Sequence, residues 1–324
     1  MSNAAAPKLK GAKPTVFIDG EAGTTGIQIR DLLAKEPGIE VKSIAAEARK
    51  DVNAKRDIMA SVDVVILCLP DEAAKEAVAL GDTLGTDRPR FIDASTAHRV
   101  SPGWTYGFPE LAKGHAEAVA SAANVANPGC YPTGGIALLR PLVDAGLMAP
   151  DYPVAVNAVS GYSGGGKSMI EAYEAPQPGV HAPAFELYGL TLHHKHLPEL
   201  TTYSHLTRTP IFVPSVGNFR QGMLVSVPLH LDTLKHVSSA GMLRDCLAAH
   251  FAGQKYVHVE TGAETVALKG KLEPEALNGT NKLELFVFWN DMRGQAVLVA
   301  RLDNLGKGAS GAAVQNLKLM VGMA

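Results

Sequence analysis

The sequence predicts an α/β protein that joins a Rossmann-type doubly wound domain to a second, α+β domain with a mixed sheet. Three observations predict this class. Strand-like and helix-like segments alternate over the first third of the chain, which is typical of a parallel sheet. A glycine-rich turn follows the first strand. From about Tyr152 onward strands dominate, and 324 residues exceed the size of one typical core.

The first domain is predicted from short segments that fit strands and the helices following them. Strands are expected at 15–19, 39–46, 62–70 and 90–95, and helices at 26–36 and 71–82. The run 62–70 is almost continuously apolar, as expected of a strand buried on both faces of a parallel sheet. Cys68 lies within it and is interpreted as a small core residue.

The rest of the chain predicts one helix that begins near Gly134 and then a strand-rich domain. In that domain two clear helices are expected, near 167–174 and 235–251. The last helix follows a glycine-rich stretch that begins at Asn304. The expected boundaries are a disordered lead over 1–13, a nucleotide-binding domain over 14–129, a second domain over 130–303 and a C-terminal helix over 304–324.

Charge and cysteine usage narrow the functional classes. The net charge is −2, from 30 basic and 32 acidic residues, which predicts neither a nucleic-acid partner nor a membrane-surface partner. No apolar run approaches a membrane span. The first 14 residues lack the apolar core of a secretory signal. Three widely spaced cysteines, Cys68, Cys130 and Cys246, argue against a disulfide framework and favour a cytoplasmic location.

The stretch DGEAGTTGIQI predicts a dinucleotide-binding turn. Its glycines have the spacing G-x-x-G-x-x-G, a variant of the G-x-G-x-x-G fingerprint. Glycines let the backbone approach a pyrophosphate, and the helix that follows offers free N–H groups. The candidate cofactor contacts are Gly20, Gly23, Thr24, Thr25 and Gly26. The alternative is an ordinary glycine-rich turn.

Residues just beyond the second strand bear on the choice of cofactor. Glu47 lies about where a carboxylate binds the ribose of NAD. The basic pair Arg49 and Lys50 follows it and suits the 2′-phosphate of NADP. A solvated charged turn is the alternative interpretation of these residues.

The stretch NPGCYPTGG, residues 127–135, predicts a nucleophilic cysteine. A strand is expected to end near Val125–Asn127 and a helix to begin near Gly134. Cys130 would then lie at a helix N-terminus, which lowers a thiol pKa, and beyond the carboxyl edge of the sheet, where ligands bind. Asn127 and the Gly134–Gly135 backbone are candidate oxyanion supports. A buried loop cysteine is the less favoured alternative.

A cysteine nucleophile needs a base, and LHHKHLPEL supplies candidates. His194 and His196 are two residues apart, so in a strand they would share one face. Glu199 follows three residues after His196. A metal site is the rival hypothesis, but there is no HExxH motif and no third cluster of ligands. A general acid/base role is therefore favoured, and no metal is expected.

The stretch GYSGGGKS, residues 161–168, matches the phosphate-binding pattern G-x-x-x-x-G-K-[ST]. A P-loop ATPase or kinase is therefore the contrary hypothesis. The match opens the second domain instead of following the first strand, and no convincing Walker B carboxylate follows. The turn is also suited to binding a phosphate or carboxylate group.

Together these motifs resemble the N-acetyl-γ-glutamyl-phosphate reductase family, in its shorter second type, which is related to aspartate-semialdehyde dehydrogenase. The resemblance covers nearly the whole chain from about Thr15. It is carried by VFIDGEAGTTGIQI, VILCLPDEAA, IDASTAHR, YGFPEL, NPGCYPTGG, GYSGGGK, HHKHLPEL, PSVGNFRQGM and DNLGKGASGAAVQNL. It implies a Rossmann domain completed by the C-terminal helix, and a central catalytic and dimerisation domain.

The resemblance also implies a reaction, the NADPH-linked reductive dephosphorylation of N-acetyl-γ-glutamyl phosphate in arginine biosynthesis. Cys130 would form a thioester, with His196 as first candidate for proton transfer and His194 as second. Candidate substrate contacts are Arg99, Ser163, Lys167, Glu199 and Arg220, among which arginine offers bidentate anion contacts. Candidate cofactor contacts are Ser95, Asn304 and Gly306, and Ser95 is also suited to a substrate anion.

Two matters stay open at this stage. The residues alone do not distinguish the acetylglutamyl substrate from an aspartyl or aminoadipyl phosphate, so a related acyl-phosphate reductase is the alternative. A homodimer or a homotetramer is expected, with a small-molecule substrate.

Overall fold

The computed structural model describes residues 9–175 and 182–323. Of the predicted lead over 1–13, residues 1–8 lie outside this description. The chain forms two compact units. The first contains the chain up to Pro109, Lys113–Pro128 and the chain from Ala309 onward, and the second contains Glu110–Ala112 and Gly129–Gly308.

The first unit is built on a parallel sheet of six strands within the described residues. The strands are β1 (Thr15–Asp19), β2 (Glu40–Lys42), β3 (Val64–Leu67), β4 (Arg90–Asp93), β5 (Thr105–Tyr106) and β6 (Asn124–Ala126). Their order is β2-β1-β3-β4-β6-β5, and every pairing is parallel. Because β1 lies between β2 and β3, the winding of the chain reverses there, which marks the edge where such sheets bind ligands.

Helices cover both faces of this sheet. They are α1 (Thr24–Leu33), α2 (Val52–Ala60), α3 (Asp71–Asp82), α4 (His115–Ser121) and the C-terminal α10 (Gly311–Met320). On one face α1, α4 and α10 contribute Ile29, Val119 and Leu317 to a buried core. On the other face α2 and α3 contribute Met59 and Ala77. Burial on both faces explains the unbroken apolar run of β3, and the predicted doubly wound Rossmann-type fold is confirmed.

The second unit contains a mixed sheet, as predicted. Its strands are β7 (Ala155–Gly161), β8 (Phe185–Leu187), β9 (Ile211–Gly217), β10 (Met223–His230), β11 (Val257–Val259), β12 (Leu283–Asn290) and β13 (Gln295–Leu302). The order is β11-β12-β13-β10-β7-β9-β8. The pairs β7–β9 and β11–β12 are parallel and the other pairs antiparallel.

The helices of the second unit are α5 (Cys130–Asp144), α6 (Gly166–Glu174), α7 (Leu197–Tyr203), α8 (Ala240–His250) and α9 (Gly262–Ala267). Helix α5 packs closely on the sheet. A Cβ atom at Gly134 would lie 2.8 Å from Val225 Cγ2 and 3.2 Å from Ala300 Cβ. Glycine at this position therefore lets the helix that begins at Cys130 approach the strands beneath it.

Several local predictions were wrong. Helix α5 begins at Cys130, four residues before Gly134, because Pro132 lies in the first helical turn, where a missing N–H is tolerated. His194 and His196 do not lie in a strand but in the turn that leads into α7. Cys68 lies directly after β3 instead of within it.

The other errors concern short helices. Helices α7 and α9 add to the two that were predicted in the strand-rich part, and α2 and α4 were not predicted either. Helices α4, α7 and α9 have seven, seven and six residues, which is too few turns to show a clear helical period. None of the described helices combines the length and apolar composition needed to cross a bilayer.

Candidate active site

The glycine-rich turn connects β1 to α1 and has little free space. Gly20 has a φ of +92°, and a Cβ atom there would lie 2.3 Å from the carbonyl oxygen of Cys68. A Cβ atom at Gly26 would lie 2.3 Å from the carbonyl oxygen of Gly20. Helix α1 begins at Thr24, after Gly23, without a side-chain cap. Its first N–H groups, including that of Thr25, are therefore placed to bind an anion.

A cavity of about 210 Å³ lies beside this turn in the first unit, and Gly20, Glu21, Arg49 and Lys55 are among its lining residues. Glu21 is buried and accepts hydrogen bonds from Arg49 at 2.8 Å and from Arg30 at 3.0 Å. Lys55 forms an ion pair with Asp19 at 2.9 Å. Two oriented cations beside a glycine turn fit the phosphates of a dinucleotide.

Sequence reasoning did not identify Glu21 or Lys55. Glu21 is the second residue of the stretch GEAGTTG, and its buried carboxylate holds Arg30 and Arg49. All three residues weighed for cofactor choice are exposed, and of these Arg49 lines the cavity whereas Glu47 and Lys50 do not.

Cys130 is the first residue of α5 and is partly exposed. Gly129 precedes it as an N-cap residue without a side-chain cap. The next residue, Tyr131, is buried and donates a hydrogen bond from its hydroxyl to the Ser215 carbonyl at 3.1 Å. Tyr188, which sequence reasoning missed, donates to the Tyr131 hydroxyl at 2.9 Å. The thiol therefore lies at a helix N-terminus whose first turn is anchored.

Glu199 connects the candidate base to the turn that holds the cysteine. His196 Nδ1 lies 2.7 Å from Glu199 Oε1, and both residues are buried. The other carboxylate oxygen, Oε2, accepts the backbone N–H of Gly129 at 3.1 Å. Because Nδ1 faces the carboxylate, Nε2 is the ring nitrogen of His196 on the side away from Glu199.

His194 has a different environment. Its Nδ1 accepts the backbone N–H of His196 at 3.2 Å, so the ring proton of the neutral form lies on Nε2. Burial, followed by the neighbouring His196, lowers the pKa of His194 to about 4. The ring is therefore neutral near pH 7, whereas His196 has a carboxylate partner in Glu199.

The rival metal hypothesis for this histidine pair has no geometric support, since Glu199 already occupies Nδ1 of His196 and Nδ1 of His194 accepts a backbone N–H. Within residues 9–175 and 182–323, the side chains close enough to share a metal ion are His258, Glu260 and Glu264.

The candidates in the loop GYSGGGK and before the last helix form a polar cluster in the second unit. Asn304 donates from Nδ2 to Ser163 Oγ at 3.0 Å and accepts the N–H of Gly222 at 2.8 Å. Both side chains are buried. A Cβ atom at Gly306 would lie 2.1 Å from the Thr280 carbonyl oxygen. The cluster holds the two glycine-rich segments together.

The remaining charged candidates of the second unit are exposed. Lys167 lies 3.6 Å from Glu171, with 80% of its side chain exposed. Arg220 pairs with Glu174 and is more than half exposed.

The loop GYSGGGKS does not form a P-loop cradle at its first three residues, Gly161, Tyr162 and Ser163. The N–H groups of Gly161, Tyr162 and Ser163 donate to carbonyl groups of the turn 219–222 at 2.9–3.0 Å. A phosphate cradle needs such N–H groups to point at the ligand. This geometry argues against the ATPase or kinase hypothesis.

In the first unit, Ser95 and Arg99 are held by internal contacts. The fully buried Asp93 accepts the Ser95 hydroxyl at 2.8 Å, and its Oδ2 lies 2.6 Å from His98 Nδ1. Arg99 is buried and donates to the Asn127 carbonyl at 3.0 Å. Its guanidinium stabilises the end of β6 through this contact.

The predicted oxyanion supports were wrong. The Asn127 side chain donates to the Ala309 carbonyl at 2.9 Å and accepts from Asn316 at 3.0 Å. Gly134 and Gly135 lie in the second turn of α5 because the helix begins at Cys130, and N–H groups there bond within the helix. The N–H groups of the first turn remain the candidates for this role.

The chain matches known families over almost its whole length. Residues 15–119 match the NAD-binding domain of semialdehyde dehydrogenases, and residues 130–304 match their dimerisation domain. The N-acetyl-γ-glutamyl-phosphate reductase of Chelativorans sp. is 54% identical over 307 residues, which cover 94% of this chain and 97% of that protein. The chain belongs to the N-acetyl-γ-glutamyl-phosphate reductase family.

Another member of the N-acetyl-γ-glutamyl-phosphate reductase family, from Mesorhizobium japonicum, is 52% identical over 319 residues, which cover 96% of this chain and all of that protein. Aspartate semialdehyde dehydrogenase II of Vibrio cholerae has the same fold. The structures align with a TM-score of 0.68 over 96% of this chain and 99% of that chain, at 15% identity. The predicted family is confirmed.

We expect His194 to make stability depend on pH. The ring has a pKa of about 4 when folded, against an ordinary value of 6.5, so the unfolded chain binds more protons between these values. The free energy of unfolding therefore falls as the pH is lowered from 6.5 towards 4. We expect His194→Gln to reduce this loss by on the order of 1 kcal/mol, after allowance for solvent screening of a partly exposed ring.

Urea unfolding of wild type and His194→Gln at pH 7 and pH 5 measures this difference. The same pH dependence in both proteins would contradict a neutral, half-buried His194.

Proposed function

We propose that this protein reduces N-acetyl-γ-glutamyl phosphate to N-acetylglutamate semialdehyde and phosphate with NADPH, in arginine biosynthesis. The observation that supports the chemistry best is the path from His196 through Glu199 to the turn of Cys130. The names of relatives that are more than half identical over nearly the full chain support the substrate. The reduced thiols of Cys68, Cys130 and Cys246 support a cytoplasmic location.

The first step uses the helix N-terminus. The position of Cys130 at the N-terminus of α5 and the dipole of that helix favour its thiolate. The thiolate attacks the carbonyl carbon of the acyl phosphate, a C–S bond forms, the bond from carbon to the phosphate oxygen breaks, and inorganic phosphate leaves. First-turn N–H groups of α5 stabilise the carbonyl oxygen as it becomes negative. The product of this step is a thioester on Cys130.

The second step needs a proton donor. When bound, the reduced nicotinamide supplies the hydride that converts the thioester carbonyl to a thiohemiacetal. His196 Nε2 gives a proton to the developing oxyanion and takes it back as the C–S bond breaks. The semialdehyde is released and the Cys130 thiolate is restored. Glu199 holds the ring and stabilises its charged form, so we assign it a positioning role instead of the substrate contact first expected.

The remaining candidate residues are proposed to bind the anionic groups of the substrate. Lys167 and Arg220 are exposed cations of the second unit, where their flexible side chains suit the phosphate and carboxylate groups of the substrate. Ser163 is buried and supports the loop by accepting a hydrogen bond from Asn304. We keep Arg99, Ser95 and Gly306 as proposed contacts of substrate or cofactor.

We expect Cys130→Ser to abolish phosphate-dependent oxidation of N-acetylglutamate semialdehyde with NADP, because an alcohol at this position is a much weaker nucleophile than a thiolate. NADP binding should stay unchanged. His196→Gln should lower kcat by about 10²- to 10⁴-fold, and His194→Gln by much less. Steady-state kinetics and a fluorescence titration with NADPH measure these effects. Normal turnover in Cys130→Ser, or equal losses in the two histidine variants, would sink this assignment.

NADP is the proposed cofactor because Arg49 lines the cavity beside the glycine turn and is oriented by Glu21. A charge-assisted hydrogen bond to the 2′-phosphate contributes about 1.5–3 kcal/mol. We therefore expect Arg49→Met to weaken NADPH binding by about 10- to 100-fold and to leave NADH binding nearly unchanged. Arg30→Met is the matched control, because Arg30 shares Glu21 but does not line the cavity. Equal weakening of NADPH and NADH would exclude the role of Arg49.

A homodimer is the proposed assembly. The face of the mixed sheet that points away from α5 carries an apolar cavity of about 590 Å³, with Phe185, Leu187, Leu224 and Val297 in its lining. Phe185 and Leu187 are 57% and 48% exposed. Exposed apolar patches of this kind mark protein interfaces, and the matching family model describes this part of the chain as a dimerisation domain. A second copy of this chain is therefore the proposed occupant.

We expect Val297→Asp to convert a particle of twice 34.1 kDa into a monomer, because an unpaired buried charge is costly at an interface. Light scattering after size exclusion measures the mass. Met292→Asp is the control, since Met292 is 99% exposed and does not line the cavity. A wild-type monomer, or an unchanged mass for Val297→Asp, would refute this interface.

A further inference from the structure

A short π-helical turn, Gly306–Ser310, precedes α10 and contains a buried lysine. Such turns are rare and often lie at functional sites. The side chain of Lys307 is 1% exposed, and its ammonium donates to both oxygens of Glu110, at 2.9 Å and 2.8 Å. Glu110 is 2% exposed, and the ammonium also lies 5.4 Å from the ring centre of Tyr256.

A contribution to stability is a weak explanation of this ion pair. Burial lowers the pKa of Lys307, with Glu110 acting in the opposite direction, so removal of the charge from water is costly here. Replacing a buried ion pair by apolar side chains of similar volume is often neutral or stabilising, whereas removing one partner is strongly destabilising. The alternative is that the pair holds the π-helical turn in a fixed position.

The turn packs directly on the candidate nucleophile. A Cβ atom at Gly308 would lie 2.8 Å from Cys130 Cβ and 3.2 Å from Cys130 Cα. The residue after Lys307 is thus in contact with the first residue of α5. Asp303, just before the turn, is fully buried and accepts the N–H groups of Leu305 and Gly279. The turn is held at its start by Asp303 and at Lys307 by Glu110.

We propose that the Lys307–Glu110 ion pair is a positioning device for Cys130, because it holds the π-helical turn in the register that packs Gly308 against the nucleophile. This inference rests on the proposed role of Cys130. Lys307 and Glu110 act through the backbone of the turn, which restrains Cys130 at the N-terminus of α5 through the contact with Gly308. If the register is lost, the thiol can move away from the N-terminus of α5. The thiolate is then less stabilised by the helix dipole.

The test uses the double variant Lys307→Met/Glu110→Met, which removes both charges at similar volume. We expect its thermal stability to stay close to wild type. The alkylation rate of Cys130 with iodoacetamide at pH 7, measured by mass spectrometry, should fall about tenfold or more, and its pH profile should move upward. We expect kcat to fall about 10- to 100-fold with little change in KM.

Gly308→Ala, which keeps the ion pair but displaces Cys130, should show the same losses.

The matched control is Lys318→Met/Glu36→Met, which removes an ion pair of α10 from the first unit. We expect it to alkylate and turn over like wild type. Wild-type alkylation and kcat in a folded Lys307→Met/Glu110→Met would overturn the positioning role. If the double variant does not fold, wild-type alkylation and kcat in Gly308→Ala overturn it, because the turn is proposed to act through the contact of Gly308 with Cys130. A wild-type Cys130 no more reactive than Cys246 would remove the proposed nucleophile itself, and the positioning role with it.

Discussion

The carboxylate of Glu199 is the contact on which the candidate site depends. One oxygen faces His196, and the other accepts the N–H of Gly129, the residue before Cys130. Because a single rigid group binds both, the imidazole and the start of α5 cannot move independently without breaking a buried, charge-assisted hydrogen bond. The anchoring of Tyr131 and the turn around Gly308 add to this constraint from other directions. The cysteine thus has a defined position before any ligand binds.

The nucleotide turn uses a related arrangement in the first unit. Glu21 stands where the usual fingerprint has no carboxylate, and it is buried between Arg30 and Arg49. A buried carboxylate limits the rotamers of the arginine that it binds and so lowers the entropy lost when that arginine meets a phosphate. In both units a buried acid orients a group that touches the ligand in the proposed reaction.

Patterns that are local in sequence predicted much of the fold. Strand β3 was recognised from its unbroken apolar run, and the turn at Gly20 from its glycines. Contacts between residues that are far apart in the sequence were not predicted. Lys55 approaches Asp19 from α2, 36 positions away in the chain. Tyr188, directly after β8, donates a hydrogen bond to Tyr131 of α5, which lies 57 positions earlier in the chain. The true start of α5 was hidden because Pro132 reads as a helix breaker, although it is compatible with a first turn.

The first unit is assembled from both ends of the chain, since α10 adds Leu317 and Met320 to the core formed by β1, β3 and α1. On the ribosome, this core therefore lacks one of its helices until the stretch Gly129–Gly308 has been made. The second unit is nearly continuous, from Gly129 to Gly308, and can fold while its C-terminal neighbour is still being made. During that interval the apolar face of the first sheet that α10 covers is open to water and to chaperones. Because α10 is made after the second unit, its docking is the step that completes the core of the nucleotide-binding unit.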